Sequence, residues 1–290
     1  MKKLVSLILA LALMTGLGSA FAIDKGESRA VIGADISAEQ KAAVYKSFGV
    51  EPGTVSELTV TNAEERRYLD GLVDSSIIGT RSISCVYIEV LGEGDGLDVS
   101  CSNISWCTKD MYVNALVTAG IDDARVVVTS PISGISGTAA LTGIYKAYED
   151  ITGETLDEVA KLAGTQELVI TAELADQIGS YDAVVIVNEL KQMLGETVNM
   201  TDDELRAEID YVAKEYDITL SDGQKTQLIS LCRSLEKLDP EELKAKVESL
   251  QDTIVKISKA KETMANVTES VKKFFASVSE FLSNLFGKKN

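Results

Sequence analysis

The pattern of the chain changes once, near residue 152, and that change limits the folds open to it. Upstream, short β-rich runs alternate with helical periodicity; downstream, one helical pattern follows another. Arg29 to Ala34 is a short apolar run. Asp35-Ile36-Ser37 followed by Glu39 then reads as a helix start, and Gly49 stops that helix after Phe48. Ser56 to Val60 reads as a strand, with Thr61 or Asn62 capping a short acidic helix through Glu64, Glu65 and Tyr68. Two β-rich runs, Arg81 to Leu91 and Leu97 to Trp106, flank Gly92-Glu93-Gly94-Asp95-Gly96, which predicts a hairpin. Thr108 opens a helix to Ala119, and Ala124 to Thr129 makes a further strand. Strand, Ile-Ser, helix and aromatic-Lys-x-aromatic occur in that order twice, ending at Phe48 and at Tyr148. A duplication and two similarly constrained βα units both explain the echo.

The downstream helices are expected over Thr155 to Leu162, Glu167 to Ile178, Tyr181 to Leu194, Asp202 to Tyr216 and Ser221 to Leu238. Leu168 to Thr171 also reads as a strand. Asp239-Pro240-Glu241-Glu242 starts a last helix, with proline at its first position. Apolar residues then recur at spacings of four and three from Leu243 to Leu285, interrupted at Lys261 and Thr268. Pro240 to Phe286 would be a rod of roughly 70 Å. The expected fold is therefore α+β: an α/β-like mixed-sheet N-terminal half and an all-α C-terminal half ending in a long coiled-coil-like helix. The divisions fall at residues 23–151, 152–238 and 239–290.

Residues 1–22 have the grammar of a cleavable secretory leader. Lys2 and Lys3 precede an apolar stretch from Leu4 to Leu13, Gly16, Gly18 and Ser19 break it, and Ala20-Phe21-Ala22 supplies the small residues a signal peptidase reads. Cleavage would remove two of the 28 basic side chains and leave all 45 acidic ones, deepening a formal net charge of −17. That balance excludes nucleic acid as a partner, since phosphate binding needs clustered Lys and Arg. The expected location is extracytoplasmic, secreted or at the cell envelope. Locally the balance reverses near the end, where Phe274, Phe275, Phe281 and Phe286 sit beside Lys272, Lys273, Lys288 and Lys289. Residues 240–290 therefore suit self-association or contact with a membrane surface.

Histidine is absent. Ser-His-Asp and Cys-His catalysis cannot be assembled, nor can histidine-containing zinc sites, so an enzyme would have to work through carboxylates, a Lys or Tyr base, or a bound metal held by oxygen ligands. No cofactor and no metal are expected, and Glu93, Asp95 and Asp98 read as ordinary turn acids. Cys85 and Cys101 share parity across the predicted hairpin, so a disulfide between them and buried free thiols are both open. Between a strand and the helix from Thr138 lies a loop whose Ser133, Gly134, Ser136, Gly137 and Thr138 are the candidate ligand-binding residues. It would present backbone N–H groups at a helix N-terminus, as a capped tight turn or as an anion cradle. It lacks the P-loop lysine and the dinucleotide glycine spacing.

Four stretches together resemble a known family: Val60-Thr61-Asn62 with Glu64-Glu65-Arg66 and Tyr68-Leu69, Ile78-Gly79-Thr80-Arg81 with Ile83-Ser84, Asn103-Ile104 with Trp106, and Ser136 to Ile144. The family is an exported one of Gram-positive, largely Firmicute, bacteria, known as domain of unknown function 1002, and the match covers most of residues 25 to 240. The resemblance implies a secreted or envelope-associated protein and supplies no catalytic residues. Two functions follow. The first is a non-catalytic module that binds a ligand or partner; the alternative is a secreted carboxylate-dependent hydrolase acting on cell-envelope glycans or peptides.

Overall fold

The computed structural model describes residues 26–248. The leader expected over residues 1–22 and the heptad series past residue 248 lie outside them. The fold is α+β. A mixed five-stranded sheet is built from β1 (Ser28–Gly33), β2 (Ser56–Val60), β3 (Cys85–Val90), β4 (Leu97–Ser102) and β5 (Ala124–Thr129), in the order β2-β1-β3-β5-β4. Central β3 runs antiparallel to β1 and β5, whereas β1 with β2 and β4 with β5 are parallel pairs. Four strands thus end at one edge of the sheet, where β3 begins.

The helices of this half are α1 (Ala38–Phe48), α2 (Asn62–Leu69), α3 (Ser75–Ile78), α4 (Lys109–Thr118) and α5 (Thr138–Thr152). Strand alternation divides their packing. Ala30, Ile32, Cys85 and Tyr87 meet Val44, Tyr45 and Phe48 of α1 on one face. Val31, Val86, Ile88, Val126 and Val128 meet Met111 of α4 and Leu141, Ile144 and Tyr145 of α5 on the other. The two echoing βα units therefore lay their helices on opposite faces. Capping matches the sequence closely: Ser37 with Gln40, and Thr61 with Glu64, form reciprocal capping boxes, and Thr108 caps α4.

The predicted hairpin is not one: β5 lies between β3 and β4. The physical reason is burial. The valines of β5 pack on both faces, Val126 and Val128 buried on one and Val127 half-buried on the other, whereas β4 exposes Asp98, Ser100 and Ser102 and suits an edge. The glycine loop bridges the end of β5, with Gly94 and Gly96 N–H groups donating to the Asp123 carboxylate at 3.1 and 2.6 Å.

The helical half comprises α6 (Glu158–Ile178), α7 (Ser180–Gln192), α8 (Leu194–Thr197), α9 (Asp202–Glu215) and α10 (Asp222–Leu235). Leu168 to Thr171 are helical, inside α6, because their neighbours repeat at helical spacing and α6 packs on both sides. It lies against α4 in the sheet half and against α7 and α10 in a second core that includes Leu174, Ile186, Leu190, Ile209 and Leu231. Each such buried aliphatic contributes about 1.5–3 kcal/mol. Asp239 caps a further helix through residues 240–248, whose Leu243 and Val247 are buried. Among the described residues no helix is long and apolar enough to cross a membrane.

Candidate functional site

A cleft of about 460 Å³ opens at the edge where the four strands end. Such carboxyl edges leave a crevice because the chain turns away toward alternate faces of the sheet. One wall is the segment after α3. Gly33 permits it: a Cβ there would stand 2.5 Å from the Ser82 carbonyl oxygen, so only glycine lets the backbone of Ser82 to Ser84 approach β1. Asp35 pins the segment, accepting from the Ser82 N–H at 2.7 Å and donating its own N–H to the Ser82 carbonyl oxygen at 3.1 Å. The opposite wall is the loop before α5, fastened by Ser105 N–H to Ile135 O at 2.9 Å and Cys107 N–H to Ser136 O at 3.0 Å.

Glu65 lines the floor. It projects from α2, four residues before Leu69, and these two alone are buried on that helix. Thr138 Oγ1 donates to its Oε1 at 2.6 Å and Asn62 Nδ2 to its Oε2 at 3.2 Å. Burial raises its pKa to about 7; the two hydrogen bonds and nearby Arg66 pull the other way without offsetting it. Trp106 lines the end of the cleft, half-buried, its Nε1–H donated to exposed Asp176 Oδ2 at 2.9 Å.

The five loop residues divide. Gly134, Ser136 and Thr138 line the cleft, whereas Ser133 turns its hydroxyl to Asn103 Oδ1 at 3.3 Å. Gly137 is structural: its φ is +97°, its carbonyl accepts from Tyr112 OH at 2.6 Å, and a Cβ would stand 2.5 Å from that oxygen. The first turn of α5 faces Glu65, so of the two readings of this loop, a capped tight turn or an anion cradle, the helix end meets a carboxyl group of the chain itself.

Cys85 and Cys101 are not joined. Cys85 pairs with Thr129 and Cys101 with Val128, from opposite sides of β5 and on opposite sheet faces. Two strand spacings, about 10 Å, exceed the reach of a disulfide. Burial pushes the Cys85 thiol up to about 11 and Cys101 and Cys232 to about 12. Asp95 of the glycine loop accepts from the Gly92 N–H, and Asp98, in β4, faces Arg125. Among the described residues no group of three or more Cys, Asp or Glu converges to hold a metal ion.

Sequence reasoning missed Glu65 because it is one of 45 acids. The available signal was its place, with Leu69, on the apolar side of a helix whose other acid, Glu64, is spent on the cap.

A family model described as a protein of unknown function, DUF1002, matches residues 32–257. The chain is also 36% identical over 264 residues to the "Uncharacterized protein YpuA" of Bacillus subtilis (strain 168), covering 90% of each. No solved structure matches.

Proposed function

The chain belongs to the DUF1002 family of proteins of unknown function, and from that premise we propose that it is an exported or envelope-associated protein that binds a small ligand in the Glu65 cleft without turning it over. The observation that carries this reading is Glu65 itself. A carboxyl group costs free energy to bury, and here it is buried on the floor of a cleft of small-molecule size. Each of its oxygens accepts one hydrogen bond, from Thr138 or Asn62, which holds the group in place and leaves acceptor capacity for a ligand. Export rests on the leader grammar of residues 1–22, and mass spectrometry of the exported protein is expected to find Ile23 at its N-terminus. Residues 240–290 would supply self-association or membrane-surface contact. Full-length and shortened proteins that are both monomeric and both fail to bind anionic vesicles would remove that role.

One observation favours a second reading, a carboxylate-dependent hydrolase. Asp176 lines the same cleft as Glu65, whose pKa near 7 suits a general acid. Release of soluble fragments from purified cell wall, lost in both Glu65→Gln and Asp176→Asn, would establish it in place of the first.

A further inference from the structure

We propose that the cleft takes a neutral saccharide; this rests on the ligand-cleft reading above and narrows it to a chemical class. The lining mixes charges and surfaces in a way few ligands match. Two acidic residues, Glu65 and Asp176, stand against one base, Arg81, one of whose N–H groups donates to the Asp35 carbonyl oxygen at 3.1 Å. An incoming phosphate or carboxylate would meet that acidic pair on a protein of formal net charge −17. A wholly apolar ligand fares no better. It would strip water from the exposed Asp176 carboxylate and the half-buried Ser136 hydroxyl and return no hydrogen bonds.

A saccharide satisfies both surfaces. Its ring carbons present an apolar C–H face, and its rim of hydroxyls both donates and accepts. Trp106 offers the matching flat apolar surface, and the hydrogen bond to Asp176 holds the indole in one orientation. Asp176 is exposed at the same end and keeps a second carboxylate oxygen for a sugar hydroxyl. Glu65 on the floor and the Ser84 and Ser136 hydroxyls on opposite walls supply the remaining polar partners. The volume suits one or two sugar rings.

Trp106 is the chain's one tryptophan, so its fluorescence reports on this cleft alone. Mature protein is titrated with cellobiose, maltose and N,N′-diacetylchitobiose, with trialanine and inorganic phosphate as comparators, and binding is repeated by calorimetry. At least one saccharide is expected to change the emission saturably. Glu65→Gln and Asp176→Asn are each expected to weaken it about ten-fold. Asp176 is exposed, so its variant keeps the test informative should the Glu65 variant unfold. Silence from all three saccharides overturns the proposal. If trialanine or phosphate then saturates the signal, the cleft reading survives without it; if no probe does, both fall.

Discussion

Glu65 and Glu189 are buried carboxyl groups whose pKa values burial raises to about 7. Glu189 retains a hydrogen bond from Tyr216 OH at 3.0 Å. In the unfolded chain both release their protons near pH 4.5, so between there and pH 7 the folded state binds more protons. Their contribution is complete below the lower value and is lost as pH rises through the higher one. Urea unfolding is therefore expected to show this part of the stability falling from about pH 5 to about pH 8, by up to roughly 3 kcal/mol per carboxyl. Glu65→Gln should flatten the slope, and an unchanged slope would contradict the burial argument. The thiols make a second residue-scale test. With Cys85, Cys107 and Cys232 buried and every thiol pKa raised, native protein should react slowly with a thiol reagent. Unfolded but unreduced protein should titrate all four. Two instead of four would reveal a bridge.

Elements formed where local chemistry dictated them. The helix starts at Ser37, Thr61 and Thr108 are short-range hydrogen bonds between side chain and backbone, legible without any tertiary information. Which strands pair is a different matter, and the Gly92–Gly96 loop shows why. Five residues can close a hairpin or span an intervening strand, and only the burial of β5 decides between them. Helix approach is similarly non-local. A Cβ on Gly164 of α6 would stand 2.6 Å from the Ala115 carbonyl oxygen of α4 and 2.9 Å from Tyr145 OH. Alanine is normally the better helix residue by about 1 kcal/mol. Gly164→Ala is nevertheless expected to destabilise the protein by about 1–3 kcal/mol, because α4 and α6 must separate. A stabilised variant in thermal or urea unfolding would refute that contact.

At the scale of the whole molecule, α4, α6 and α7 join the two halves around a buried ion pair. Lys191 Nζ lies 2.8 Å from Glu167 Oε1, with both side chains almost wholly excluded from water. Lys191 also donates to the Asn114 carbonyl oxygen at 3.3 Å, and the Thr118 hydroxyl donates to Glu167. Removing one partner strands a buried charge. Lys191→Met is expected to cost about 3–5 kcal/mol, and adding Glu167→Leu should recover most of it. Equal losses in the single and double variants, measured by urea unfolding, would rule out the pairing. Leu243 and Val247, the first two positions of the C-terminal heptad series, are buried. The start of that helix is therefore part of the folded body.

By itself the sequence determined the change from strand–helix alternation to helices, the caps, most helix spans and, through the absence of histidine, the chemistry excluded. These depend on neighbours within a few residues or on composition. Tertiary structure alone decided that β5 separates β3 from β4, that Cys85 and Cys101 face opposite ways, and that one acid among 45 is buried beside Thr138. Those outcomes depend on contacts between residues 27 to 73 positions apart. Such contacts are selected by burial summed over the whole chain, which no local pattern encodes.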